Sequence, residues 1–296
     1  MSTPRFGRVV TAMVTPFDDD LALDCDAAAA LARWLVDHGS DGLVLAGTTG
    51  EGPTLSDGEK LDLFRAVRDA VTVPVIAGTG TNDTAHSVHL TQEAVRLGVD
   101  GVLVVTPYYN RPSPRGLAHH FRAVAEAAGT TAVVLYDIEV RSGRPISNEV
   151  LFELARDVPN IVAVKDASGK IPQAAFRCAQ APAGFELYSG NDGDTLAMLA
   201  GGGVGVISVA SHWAGPHFQE LCTTYLKGDV DGARAANARL LESYAFQSTD
   251  DAPNPVPAKA MARVLGHPVG RCRPPMGPDE PAGLEDRARQ VLGNLG

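Results

Sequence analysis

The chain has 296 residues, 45% hydrophobic and 20% charged, the balance of a globular protein with apolar material for one large core or two ordinary ones. Asp and Glu outnumber Lys and Arg by 35 to 25, for a net charge of -10; no basic stripe is available to neutralise phosphates, which excludes nucleic acid and anionic membrane as partners and favours a small metabolite. No stretch reaches the roughly 18 consecutive apolar residues of a membrane span.

The opening MSTPRFGRVVTAMVTP has too short an apolar run and too little charge for a secretory signal, so a cytoplasmic protein is expected. Its Val9–Val14 segment reads instead as a first strand. Further short, β-branched, nearly continuously apolar runs follow at Gly42–Ala46, Val73–Ala77, Gly101–Thr106, Ala132–Asp137, Ile161–Lys165, Phe185–Ser189 and Gly205–Ser208, the pattern of parallel strands covered on both faces. Amphipathic segments alternate with them: Asp26–His38, Ser56–Val71, Thr84–Leu97, Pro114–Ala128, Asn148–Asp157, Ile171–Ala179, Thr195–Ala200 and Pro216–Lys227. Ser56 followed by Glu59 has the spacing of a capping box. Eight βα units in one run predict an α/β fold, a (β/α)8 TIM barrel, with a doubly wound sheet as the alternative. After residue 227 the composition turns to Ala-, Leu- and Arg-rich segments at Val230–Phe246, Pro257–Leu265 and Leu284–Leu295. Residues 1–227 are therefore expected to form a catalytic barrel and residues 228–296 a C-terminal helical extension packed on it.

In a barrel of this kind the loops that leave the C-terminal strand ends build the active site. Lys165 closes the apolar run of the sixth strand and is one of five lysines in the chain. Burial there disfavours its charged form and leaves a nucleophilic amine able to form a Schiff base with an oxo acid. A lysine that snorkels to solvent or pairs with Asp166 is the other reading of the same position. The second strand runs into Gly47-Thr48-Thr49-Gly50-Glu51-Gly52-Pro53, whose hydroxyls and backbone N–H groups suit a small carboxylate. It lacks the GxxxxGK[ST] form of a nucleotide cradle. The fourth strand ends in Thr106-Pro107-Tyr108-Tyr109-Asn110 and the fifth in Tyr136-Asp137, with Arg141 and Arg144 shortly after. A tyrosine hydroxyl can relay protons and an arginine fork can hold a carboxylate; aromatic packing and a solvated loop charge are the alternatives. The seventh strand ends in Ser189-Gly190-Asn191-Asp192 and the eighth reaches Ile207-Ser208, which could wall a pocket. The four cysteines show no CxxC and the eight histidines no HExxH, so reduced packing thiols and no metal are expected.

Taken together, GTTGEGPTL, VTPYYNRPSPRGLAHHF, LYDIEVRSG, IVAVKDASG, YSGNDGDTL and NPVPAK resemble the dihydrodipicolinate synthase branch of the N-acetylneuraminate lyase superfamily, from residue 7 to about 265. The resemblance implies a class I aldolase-like enzyme in which Lys165 forms an imine with pyruvate, with no metal or redox cofactor. It implies that Thr48 and Thr49 hold the pyruvate carboxylate and that Thr48, Tyr136 and Tyr109 form a proton relay. Tyr109 would reach into a neighbouring subunit's site, which implies a homo-oligomer, dimer or tetramer. Arg141 matches the arginine that recognises the carboxylate of L-aspartate 4-semialdehyde, and Gly190 and Ile207 match pocket-lining positions. The implied product is 4-hydroxy-tetrahydrodipicolinate, on the route to lysine.

The chain departs from the family pattern in three places. Glu139 stands where proline is usual, which predicts a more mobile and more acidic loop. Gly52 stands where serine is usual. Asp57, Lys60 and His86 occupy the positions of the lysine effector site in feedback-inhibited branches, and cationic Lys60 predicts weak or absent feedback. Two other functions remain open at this point: a pyruvate- or 2-oxo-acid-dependent aldolase of a sugar acid or other aldehyde, and a non-catalytic binder of an oxo acid.

Overall fold

In the computed structural model, which describes residues 3–277 and 280–295, every expected strand forms. The strands are β1 (Val9–Ala12), β2 (Gly42–Leu45), β3 (Val75–Gly78), β4 (Gly101–Val105), β5 (Ala132–Asp137), β6 (Ile161–Asp166), β7 (Glu186–Ser189) and β8 (Gly205–Ser208), joined in sequence order into a closed barrel. Closure in that order rules out the doubly wound sheet, in which strand order reverses at a switch point. The helices are α1 (Cys25–Asp37), α2 (Asp57–Ala70), α3 (Thr84–Arg96), α4 (Pro114–Ala128), α5 (Glu139–Ser142), α6 (Asn148–Asp157), α7 (Ile171–Gln180), α8 (Thr195–Ala200), α9 (Ser211–Leu226), α10 (Val230–Arg239), α11 (Leu241–Phe246), α12 (Val256–Val264) and α13 (Leu284–Leu295).

The chain divides into two compact units, Met1–Val73 with Ser208–Gly296, and Pro74–Ile207. In the first, β1 and β2 pair in parallel with Val10 opposite Gly42 and Ala12 opposite Val44. Their Val9, Val10, Leu43 and Val44 side chains are buried, each contributing about 1.5–3 kcal/mol by leaving water. The α2 start is fixed as its sequence requires: the Ser56 hydroxyl accepts from Glu59 N at 3.2 Å and the Glu59 carboxylate accepts from Ser56 N at 2.8 Å. The helices beyond residue 227 pack within this same unit, α10 and α12 against α9, and α11 and α12 against α13. Here the observed helices differ in two ways from those expected. The α9 helix begins at Ser211 rather than Pro216, because a bend at Ala214 (φ -118°, ψ 19°) lets a short preceding turn join a helix that Pro216 would otherwise start. The expected Val230–Phe246 helix is interrupted after Arg239 and resumes at Leu241.

In the second unit β3 to β8 are parallel neighbours. The third strand starts at Val75, since Pro74 has no N–H for the ladder. Register matters most between β5 and β6, where Tyr136 lies opposite Lys165 and Asp137 opposite Asp166, and between β6 and β7, where Lys165 lies opposite Tyr188. Because successive strand residues point to opposite faces, Tyr136 and Lys165 share one face of the sheet and Asp137 and Asp166 share the other. The loop after β5, where no element was expected, coils into the single turn α5, closed by Gly143 in the left-handed region (φ 70°) with its N–H on Glu139 O at 2.8 Å.

Candidate active site

Lys165 is 5% exposed and its Nζ lies 4.4 Å from the centroid of the Tyr136 ring. The snorkelling reading therefore fails, and so does pairing with Asp166, which faces the other way and is held by Arg177. Parallel pairing sets this contact directly, since residues opposite each other on neighbouring strands bring their side chains together. Thr106, at the end of β4, secures the same point from the other side: its N–H and its hydroxyl both donate to Tyr136 O, at 3.0 and 3.1 Å. An amine and a phenol thus stand together at the C-terminal end of β5 and β6, in a place with little water.

Behind them lies a buried cluster of charge. Arg177, on α7 and 1% exposed, brings its Nη1 to Asp137 Oδ2 at 2.9 Å and to Asp166 Oδ2 at 2.6 Å. Its Nε donates to Asn148 Oδ1 at 3.0 Å and its Nη2 to Ile146 O at 2.5 Å. Burial pushes the Asp137 carboxyl up from its ordinary range, with Arg177 pulling it down and Asp166 pushing it further up. Removing the guanidinium from such a cluster strands buried carboxylates, a loss of roughly 3–5 kcal/mol in comparable cases.

The other expected residues of the second unit occupy distinct settings. Arg141 sits exposed on α5, within the loop that Asp137 Oδ1 closes by accepting from Ile146 N at 3.2 Å. The loop is less acidic than expected, because Lys170 donates to Glu139 at 2.7 Å, and it takes the form of a helical turn. Gly190 follows β7, and its N–H donates to Asp166 O at 2.7 Å. A Cβ there would lie 2.7 Å from that of Ala167, so only glycine permits this approach of the two strand ends. Ile207 is buried on β8. Tyr108 is half-buried, which raises its phenol above the usual value, whereas Tyr109 is 91% exposed with φ 72° and is not brought to the Lys165–Tyr136 pair.

In the first unit, Thr48 and Thr49 lie in the turn after β2, and Thr49 is buried with its Oγ1 accepting from Asn254 Nδ2 at 3.1 Å. The turn is tight, with Glu51 N on Thr48 O at 3.1 Å and Gly52 N on Gly47 O at 3.0 Å. A Cβ on Gly52 would fall 2.2 Å from Ala46 O, so this turn cannot carry the serine usual at that position. Glu51 adopts φ 53° and is fully buried against Lys259, whose Nζ lies 2.7 Å from Oε1, while Arg273 N donates to Oε2 at 2.8 Å. Sequence reasoning missed Asn254, Lys259 and Arg177. For the first two the signal was the NPVPAK segment itself; for Arg177 it was the acid that follows each inward residue in Tyr136-Asp137 and Lys165-Asp166. Among the described residues no three His, Cys, Asp or Glu side chains are grouped to hold a metal ion, and no helix is long and apolar enough to cross a membrane.

Comparison with known proteins adds a consistent set of relatives. The model of the dihydrodipicolinate synthetase family matches residues 5–291. The chain is 50% identical to a 4-hydroxy-tetrahydrodipicolinate synthase of Moorella thermoacetica over 92% of each chain. It is 46% identical to one from a Synechococcus species, over 99% of this chain and 94% of the relative. Among solved structures it is similar to the dihydrodipicolinate synthase of Cyanidioschyzon merolae with lysine bound, with a TM-score of 0.95, 41% identity and 99% of both chains covered. It is likewise similar to DapA-2 of Bacillus anthracis, with a TM-score of 0.93, 38% identity, and 97% of this chain and 98% of that one covered.

Proposed function

The chain belongs to the dihydrodipicolinate synthetase family, and from that premise we infer how its residues divide the work. The activity is that of a lyase of the class I aldolase type: condensation of pyruvate with L-aspartate 4-semialdehyde to 4-hydroxy-tetrahydrodipicolinate, in lysine biosynthesis. The observation that carries the assignment is the buried Lys165 nitrogen set over the Tyr136 ring.

In the proposed sequence the free amine of Lys165 attacks the pyruvate ketone and water leaves, giving an imine. The imine draws electrons from the methyl carbon, a proton is lost, and the enamine carbon attacks the aldehyde of the second substrate. The alkoxide is protonated through Tyr136, with Thr48 and Tyr109 completing the relay. The semialdehyde's amino group then adds to the imine carbon, closes the ring and expels Lys165 as the amine. Thr48 and Thr49 take the pyruvate carboxylate, Arg141 that of the semialdehyde, and Gly190 and Ile207 line the pocket. The covalent imine supplies the electron sink, so the chemistry calls for no metal or redox cofactor. Tyr109, exposed on its own chain, fits a residue donated to a neighbouring copy and supports a homo-oligomer, dimer or tetramer; the place of action proposed for the protein is the cytoplasm. Residues 1–227 would then be the catalytic barrel and 228–296 its helical extension.

Incubation with pyruvate, borohydride reduction and peptide mass spectrometry test the core of this reading: a reduced pyruvyl adduct is expected on Lys165, and an unmodified Lys165 peptide overturns it. Turnover with L-aspartate 4-semialdehyde well above that with a panel of sugar aldehydes is the expected partner specificity, and the reverse order would favour the sugar-acid aldolase reading.

A further inference from the structure

We propose that Arg177 is a positioning residue for the condensation: by clamping Asp137 and Asp166 behind the sheet, it fixes the Tyr136–Lys165 pair and the loop that carries Arg141. The inference rests on the reading of Lys165 as the imine-forming lysine.

The geometry supports it on three counts. First, the two carboxylates are the immediate neighbours of Tyr136 and Lys165, and each pair is in register across β5 and β6. A strand residue cannot rotate or slide without carrying its neighbour, so restraint on Asp137 and Asp166 is restraint on the amine and the phenol at the opposite face. Second, one guanidinium donates to three acceptors, the Asp166 carboxylate at the end of β6, the Ile146 carbonyl and the Asn148 side chain at the start of α6, and pairs with the Asp137 carboxylate at the end of β5. Its planar fork makes these contacts mutually dependent, which a flexible ammonium could not reproduce. Third, Ile146 is held twice, its N–H by Asp137 Oδ1 at 3.2 Å and its carbonyl by Arg177 at 2.5 Å. The segment from Asp137 to Ile146 is thereby tied at both ends to the one cluster, and Glu139 and Arg141 ride between the ties.

The cluster is not the economical way to fill a helix–sheet layer. Two carboxylates and one guanidinium, all about 1% exposed, put three ionisable groups in a place where apolar side chains would pack at least as well. A cluster of that kind at this position restrains orientation, and catalysis depends on orientation: small displacements of reacting groups cost large factors in rate.

The test compares the wild-type protein with Arg177→Met and Arg177→Lys, and with Arg263→Met as a control. Arg263 pairs with Glu280 and Glu285 and is not among the residues assigned to the chemistry. Each variant is measured for thermal stability, kcat and KM for both substrates, and the rate at which borohydride traps pyruvate on Lys165. The expected result is a fall of about 10- to 100-fold in kcat and in trapping rate for both Arg177 variants, with pyruvate KM moved much less. The Arg263 variant should keep its kcat even where its stability falls by a similar amount. If Arg177→Met does not fold, Arg177→Lys, which retains the buried charge but lacks the fork, decides the matter. Folded Arg177 variants with wild-type kcat and trapping rate overturn the inference while leaving the Lys165 reading intact. A wild-type protein that traps no pyruvate on Lys165 overturns both.

Discussion

Lys259→Met should be among the most destabilising single changes in the chain. The Lys259 ammonium is fully buried, 2.7 Å from Glu51 Oε1 and 2.9 Å from Arg271 O, and it lies 3.9 Å from the centroid of the Phe17 ring. Burial lowers its tendency to hold a proton, and the Glu51 carboxylate opposes that effect. Methionine keeps a long unbranched apolar side chain and removes the ammonium, and with it the support of Glu51, the bond to Arg271 O and the contact with the Phe17 ring. An uncompensated buried carboxylate costs roughly 3–5 kcal/mol. With an unfolding entropy of about 2.1 cal/mol/K per residue, 296 residues give roughly 0.6 kcal/mol/K, and the Tm should fall by about 5–8 °C. The double variant Glu51→Gln with Lys259→Met keeps an acceptor for Arg273 N without a buried charge, and should recover about half of that loss or more. Pyruvate KM should rise in the single variant, because Glu51 N–H anchors the Thr48 carbonyl in the turn assigned to the pyruvate carboxylate. Thermal scans and pyruvate titrations measure both effects. A single variant whose Tm drops by less than about 2 °C, or a double variant no more stable than the single, would refute the idea that Glu51 depends on this ammonium.

Lys165→Ala should abolish turnover and pyruvate trapping while near-ultraviolet circular dichroism stays that of the wild type; residual trapping on another lysine would remove Lys165 from its role. Arg141→Ala should raise the KM for the semialdehyde and lower kcat yet leave imine formation untouched, and unchanged semialdehyde kinetics would contradict the assignment. His212 is pushed down to about 4, first by burial, and its Nε2 accepts from Val14 N at 3.1 Å, a bond that a protonated ring cannot make. Below the ordinary value of about 6.5 the unfolded chain therefore takes up a proton before the folded one, and stability should decline by about 3 kcal/mol between pH 6.5 and 4 on this group's account. Chemical denaturation across that window checks it, since His212→Gln should flatten the decline and an equal slope would count against it. Lys60, which the resemblance puts at the lysine effector position, is nearly buried on α2, where burial lowers its hold on a proton and Asp57 at 3.9 Å opposes that; an ammonium kept there by Asp57 would repel the effector's, so L-lysine should inhibit weakly or not at all, and a submillimolar inhibition constant refutes this.

The strands and their order were legible because parallel strands covered on both faces must be apolar throughout, and the amine at the end of Ile161-Val162-Ala163-Val164 stood out against that background. The capping box at Ser56 was legible because its partners are three residues apart. What the sequence hid depends on partners brought together only by folding. The α5 turn has too few residues to show a period, and its Glu139 is matched by Lys170 from the next loop. The reason for Gly52 at a position where serine is usual shows only in the turn, which puts Ala46 O where a Cβ would go. Arg177 was the deepest omission, yet a rule for it was present: once Tyr136 and Lys165 are taken to face one way, parity sends Asp137 and Asp166 into the helix layer, where two carboxylates cannot remain without a cation. The expected helix after the sixth strand, Ile171–Ala179, contains one arginine and no lysine, so parity and charge together point to Arg177 before any coordinate is known. The same reasoning gives the clamp its direction of action: the strands need the arginine to bury their acids, and the arginine, satisfied by both, leaves the residues on the other face with one orientation.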